Sequence, residues 1–330
     1  MDSLLRRPAV FWIGTVLALS ALVIASLAIG AVSLRPGVVV GALFGQGDDV
    51  AITIVRDLRL PRVALAMLVG CALGSSGAAL QGTLRNALAE PYLLGVSGGA
   101  AFGAVIAMIL GVTDAGATSV IAFGGAIGAV ILVLTLARAA GGVRDARTLL
   151  MAGVVIGAFA NAVILILLTD ASPERVRGAL WWIAGSLSDA SWPRVLWLLG
   201  YVLAGMALLV ARGRLLDVLA IGDESAAALG VNVGRATQHM FLICALLAAA
   251  SVAAAGLVGF VGLVVPNIAR AFGVVRHRTL IVSSALAGAS LVIFADLLAR
   301  TVRAPLELPL GAITALIGVP VFLARLRRIR

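Results

Sequence analysis

Residues Arg59–Ala104 read RLPRVALAMLVGCALGSSGAALQGTLRNALAEPYLLGVSGGAAFGA. The stretch opens on a charged R-L-P-R and passes into about twenty apolar and small residues, roughly the length that crosses a bilayer. It then meets a polar break from Gln81 to Pro91 and enters a second apolar run rich in glycine. Polar, proline-containing backbone between two spans is tolerated only where it faces protein or a water-filled cavity. This order suits a pore wall and its gate better than a simple anchor.

The remainder of the chain repeats the apolar part of that pattern. Of 330 residues, 62% are hydrophobic and 12% charged, and the mean hydropathy is +1.14. Soluble domains are about half apolar and about a quarter charged, so this is read as an all-α polytopic membrane protein. Its length holds about ten spans of ~20 residues in one transmembrane domain over 1–330, with no room for a soluble domain. Apolar runs fall at about 9–34, 63–82, 92–112, 117–137, 148–169, 194–211, 236–258, 259–272, 279–299 and 308–325. The first is too long for a signal peptide and reads as a span. The pair 236–272 is one long helix, or a span followed by a half-helix broken at Gly256, Gly259 and Gly262 and again at Pro266. Two breakers so close favour the second reading.

Several chemistries are excluded. The 25 basic residues are all arginine. Without lysine there is no Walker A loop and no Schiff base, so no catalytic residue is assigned. The net charge of +10 is scattered between apolar runs and forms no basic face, which argues against nucleic acid. Cys71 and Cys244 read as small core residues, and His239 and His277 lack partners at metal-ligand spacing. Asp296, with Arg300 one turn later, reads as a structural ion pair. Without a chain of buried acids or histidines, a proton-driven transporter has little support. An ATP-independent secondary transporter of a small solute is the alternative reading.

Arginine placement orients the chain. With both termini cytoplasmic, sixteen arginines fall inside and nine outside, as the positive-inside rule favours. Arg56, Arg59, Arg62, Arg300 and Arg303 fall in two outer loops, which fits either an acidic partner or headgroup snorkelling. Ser172-Pro173-Glu174 starts a short interfacial helix over about 173–184, with Ser172 as N-cap and the Trp181–Trp182 pair at the interface. On the inner side, residues 221–230 form another short helix, with Asp223 as N-cap and Gly230 as stop. That pattern fits a docking element for another subunit and equally a turn linking two spans. Gly70, Gly74 and Gly77, Gly124, Gly125 and Gly128, and Gly153 and Gly157 form small-residue packing faces.

Taken together, the motifs resemble the FecCD family of permease subunits of binding-protein-dependent ABC importers for ferric siderophores, haem and vitamin B12. The resemblance rests on Arg59-Leu60-Pro61-Arg62, Gly77 with Gln81, Arg85–Pro91 and Leu94–Ala100. It continues in order through Trp182–Ser186, Gly222-Asp223-Glu224 with Leu229-Gly230, Gly259–Pro266, Ala295-Asp296 with Arg300, Glu307–Gly311 and Gly318–Phe322. It implies a type II ABC importer permease of ten helices that works as a homodimer in the bacterial plasma (inner) membrane, with the path between the two copies. It also implies two copies of a separate ATPase, which bind ATP and Mg and leave this chain without a cofactor of its own. The ATPase would dock on the cytoplasmic segment at about 219–231, at Asp223, Glu224, Ala227, Leu229 and Gly230. A periplasmic or lipid-anchored binding protein would meet Arg59, Arg62 and Arg300. Gate positions map onto Asn86 and Leu88, and onto Gly141 and Gly142. Ferric siderophore is the first choice of substrate, then vitamin B12, whose importers the wording of Ala89–Gly95 also resembles, then haem. Two positions depart from the family: Ala87 stands where proline is usual, and Asn267 where histidine is usual.

Overall fold

A computed structural model describes residues 2–30, 32–139 and 146–326 of the protein. The ten apolar runs become α1 (Asp2–Ala28), α2 (Leu60–Thr83), α3 (Val96–Ile109), α4 (Ala115–Ala139), α5 (Ala146–Thr169), α7 (Trp192–Ala211), α10 (Val233–Ala255), α11 (Val261–Ala271), α12 (His277–Thr301) and α13 (Leu310–Leu326). Between them lie α6 (Pro173–Ala184), α8 (Gly213–Ile221) and α9 (Asp223–Ala228). Among the described residues, seven helices are long and apolar enough to cross a membrane, and Val96–Ile109, Val261–Ala271 and Leu310–Leu323 are shorter apolar helices.

The decisive stretch holds the centre. The segment Asp49–Thr83 is continuously helical, and 78% of its most apolar window is buried, against 22% in α1. Its small residues allow α12, α10, α7 and α11 to pack around α2. The apposition of Gly70 with Gly288 and of Gly74 with Ser284 shows that α2 and α12 run antiparallel. Gly98 and Gly157 bring α3 beside α5, and Gly99 meets Gly125 of α4. Gly124 and Gly128 face open space instead, so only part of the glycine pattern in α4 serves packing within the chain.

The doubtful pair at 236–272 is a full helix followed by a half-helix. The break spans Gly256 (φ 68°) to Phe260 (φ 67°). Pro266 does not end α11, contrary to the expectation of a second break. The Gly262 carbonyl, which Pro266 has no N–H to reach, accepts Gln81 Nε2 at 3.1 Å, so the freed acceptor is satisfied from α2.

The loops also follow the pattern, with exceptions at their caps. Helix α6 covers Pro173–Ala184 as expected, although the Ser172 side chain makes no capping bond. In α9, Gly222 holds the N-cap position and Asp223 is the first helical residue, which corrects the cap assignment. The stop at Gly230 is a Schellman motif: Val231 N–H donates to Ala226 at 3.0 Å and Gly230 N–H to Ala227 at 2.9 Å. Gly230 takes the required positive φ of 81°.

Candidate functional site

Two ends of the bundle carry polar constellations, and α2 runs about 36 Å between them at ~1.5 Å per residue. At one end, a π-helical turn (Ile54–Arg59) leads into α2, so Arg59 and Arg62 lie in helix, not in a loop. Arg62 donates to Asp296 through Nε at 2.9 Å and Nη2 at 2.8 Å, and to Glu307 through Nη1 at 2.6 Å and Nη2 at 2.9 Å. Arg59 donates to the carbonyls of Leu27 at 2.7 Å and Ala28 at 3.0 Å, and also to that of Val32. These are carbonyls at and beyond the end of α1, where helical partners run out. Arg300 bonds Ser26 and stands 3.5 Å from Asp296.

The expected Asp296–Arg300 pair is therefore present but secondary, since Asp296 belongs mainly to Arg62. All three family arginines are turned into their own chain, and Arg59 is 6% exposed. Their neighbours Arg56 and Arg303 are exposed. Glu307, which the sequence marks only as the start of the Glu307–Gly311 motif, completes the cluster. Three arginines converging near one helix-borne acid signal the need for a second carboxylate. A cavity of about 570 Å³ lies at this end, bordered by Trp181, Trp182, Asp189, Arg194 and Glu307.

At the opposite end, Asp223, Glu224, Ala227, Leu229 and Gly230 are all exposed, while Ala226 anchors α9 by its buried side. Ile221 and Leu229 are 66% and 67% exposed, so the segment shows an apolar surface that its own chain leaves uncovered. Helix α8 is fixed to the start of α12 by Asp217, which accepts the His277 backbone N–H at 2.9 Å and contacts its ring Nδ1 at 2.8 Å.

The polar break after α2 packs against the break between α10 and α11. Asn86 and Leu88 are exposed in a tight turn, with Leu88 N–H donating to Asn86 Oδ1 at 2.9 Å. Gly141 and Gly142 lie outside the described residues. Asn267 Nδ2 donates to the Ala87 carbonyl at 2.9 Å, so the two family departures touch each other. Val258 N–H donates to the Tyr92 hydroxyl at 3.0 Å, and Phe260 N–H to Glu90 Oε1 at 2.7 Å. Burial raises the Glu90 carboxyl above its ordinary range, against a lowering by the Phe260 amide. Nothing in the local pattern marks Glu90, Tyr92 and Asn267 as one unit, because their partners lie up to 180 residues away.

Glu90→Gln supplies the uncharged form that burial favours and keeps the acceptor, so its stability should stay within about 0.5 kcal/mol of the parent protein. Glu90→Ala strands the Phe260 amide and should cost about 1–3 kcal/mol. Thermal unfolding in detergent separates the two, and equal losses would show that this bond does not hold the break.

Sequence and structure comparisons identify relatives of the whole chain. The sequence model of the FecCD transport family matches residues 18–328. The hemin transport system permease protein HmuU of Yersinia pestis is 40% identical over 281 residues, covering 84% of this chain and 84% of that protein. The vitamin B12 import system permease protein BtuC of Vibrio vulnificus is 37% identical over 319 residues, or 96% of this chain and 95% of that one. A solved structure described as an inward-facing conformation of a metal-chelate type ABC transporter superposes with a TM-score of 0.86 at 27% identity, covering 97% of this chain and 99% of that one.

Proposed function

The chain belongs to the FecCD transport family and is an integral membrane permease of type II ABC importer architecture, and from that premise we propose how it works. A separate ATPase, in two copies, drives it by docking on α9. The observation that carries this reading is the uncovered surface of Asp223, Glu224, Ala227, Leu229 and Gly230, with Ile221 beside it. ATP and Mg belong to that partner. Two copies of the permease enclose the path. Met151, Val155, Phe159 and Ile166 on α5 are each more than half exposed, and a second copy or lipid would cover them. Both termini lie in the cytoplasm of a cell whose plasma membrane the chain spans, so α9 and the turn at 84–90 face inward and the arginine cluster faces outward.

A periplasmic or lipid-anchored binding protein docks at the arginine end. Three guanidiniums (Arg59, Arg62, Arg300) against two carboxylates (Asp296, Glu307) leave one net positive charge there, with Arg56 and Arg303 exposed beside it. The cargo is a metal chelate: a ferric siderophore, vitamin B12 or haem. The named relatives are a hemin transport system permease and a vitamin B12 import system permease, which supports testing those two substrates beside the siderophore.

Purification in mild detergent from the native host tests the partner assignment. The chain should bring an ATPase with it, and any bound cargo should show in the visible spectrum. Replacing Glu224 and Leu229 together with alanine should reduce the recovered ATPase about tenfold or more, the loss of about 1.4 kcal/mol of binding. Full recovery with the double variant would remove α9 from the docking surface.

A further inference from the structure

The turn between α2 and α3 is held on two sides by bonds of very different kinds. Toward the break between α10 and α11 it is fastened by the Asn267–Ala87, Glu90–Phe260 and Tyr92–Val258 bonds and by Gln81 Nε2, which also reaches the Ala89 carbonyl at 3.4 Å. Apart from Ala87, these partners are buried or half-buried. Toward α9, Arg85 Nη2 pairs with Asp223 Oδ2 at 2.9 Å, with the two side chains 43% and 57% exposed. An ion pair this exposed adds little stability and is screened by salt. Arg85 also sits at φ 49°, a left-handed conformation unfavourable for a residue with a side chain. The bond between Asn86 and Leu88, with Ala89 N–H donating to the Asn86 carbonyl at 3.0 Å, ties residues 86–89 to one another.

We propose that Arg85 and Asp223 form a latch between α9 and the turn at residues 84–90: displacement of α9 by the ATPase breaks the pair, and the turn pivots on its attachment to α10 and α11. Arg85 is thus a positioning residue for the path, acting through Asn86 and Leu88. The inference rests on the docking role of α9 proposed above. A weak, exposed contact is the one a docking partner can break, whereas the buried set on the other side stays closed and supplies the pivot.

Hydrogen exchange read by mass spectrometry on the full permease–ATPase complex tests the latch. Without nucleotide, Asp223→Asn should raise exchange across 84–90 about fivefold, which corresponds to about 1 kcal/mol of protection. The charge swap R85D/D223R should restore the parent rate. ATP should raise exchange across the same residues in the parent complex and add nothing in D223N. A D223N complex with parent exchange, or one that still responds fully to ATP, overturns the latch. If D223N and the swap behave as expected while ATP changes nothing in the parent, the pair stands but its release by an ATPase at α9 is overturned.

Discussion

Arg62→Leu is expected to cost about 3–5 kcal/mol of stability, the range for stranding a buried charge. Asp296 is 1% exposed, and its bidentate partner is Arg62. Arg300, at 3.5 Å and committed to Ser26, is poorly placed to replace it. Glu307 is 35% exposed and contributes less, because water can solvate it. The triple variant R62L/D296N/E307Q removes Arg62 together with both of its acidic partners, leaves Arg59 and Arg300 on their carbonyl and Ser26 bonds, and should recover part of the loss. Thermal denaturation in detergent decides this. A single variant as stable as the parent would show that Asp296 is not dependent on Arg62. Charge reversal at Arg62 is therefore a poor probe of docking, since it perturbs the fold first. Arg56 and Arg303 are the exposed positions at which reversal reports on a partner.

The second large effect concerns α2. A Cβ on Gly74 would stand 2.1 Å from the Ser284 carbonyl oxygen, and one on Gly77 2.1 Å from that of Gly262. In each case the obstacle is backbone, which cannot turn aside as a side chain can. Gly74→Val with Gly77→Val should therefore cost several kcal/mol, since each overpacked site costs ~1–3 kcal/mol, and should abolish the monodisperse peak in size-exclusion chromatography. Gly124→Ala and Gly128→Ala meet nothing within 4 Å and should leave the peak unchanged. Equal behaviour of the two pairs would remove close helix approach from the explanation of the fold.

The spans were legible because length and hydropathy are local properties, and bilayer crossing imposes both. The same holds for α6, whose proline and acidic first turn mark its start, and for the stop at Gly230. The break at Gly256–Phe260 was legible from clustered glycines, while the supposed break at Pro266 was not. Its rescue comes from Gln81, 181 residues away from Gly262. The arginines of R-L-P-R read as solvent-facing because charge usually ends a span. In the fold they close the carbonyls of α1 and pair with acids on α12 and beyond, which no window of sequence contains. Asp223 reads as a cap for the same reason: a local rule supplies an available role, and Arg85 supplies a distant one.

The proposed mechanism has this chain move a metal chelate only when an ATPase acts on it. The direct measurement is uptake of cyanocobalamin, hemin and a ferric siderophore into proteoliposomes holding the chain with its co-purified ATPase and binding protein. The chain alone, with an imposed ion gradient, is the comparison. Uptake of at least one chelate that needs ATP and disappears without the ATPase is the result predicted. Uptake of similar rate by the chain alone, driven by the gradient, would contradict ATP-driven import.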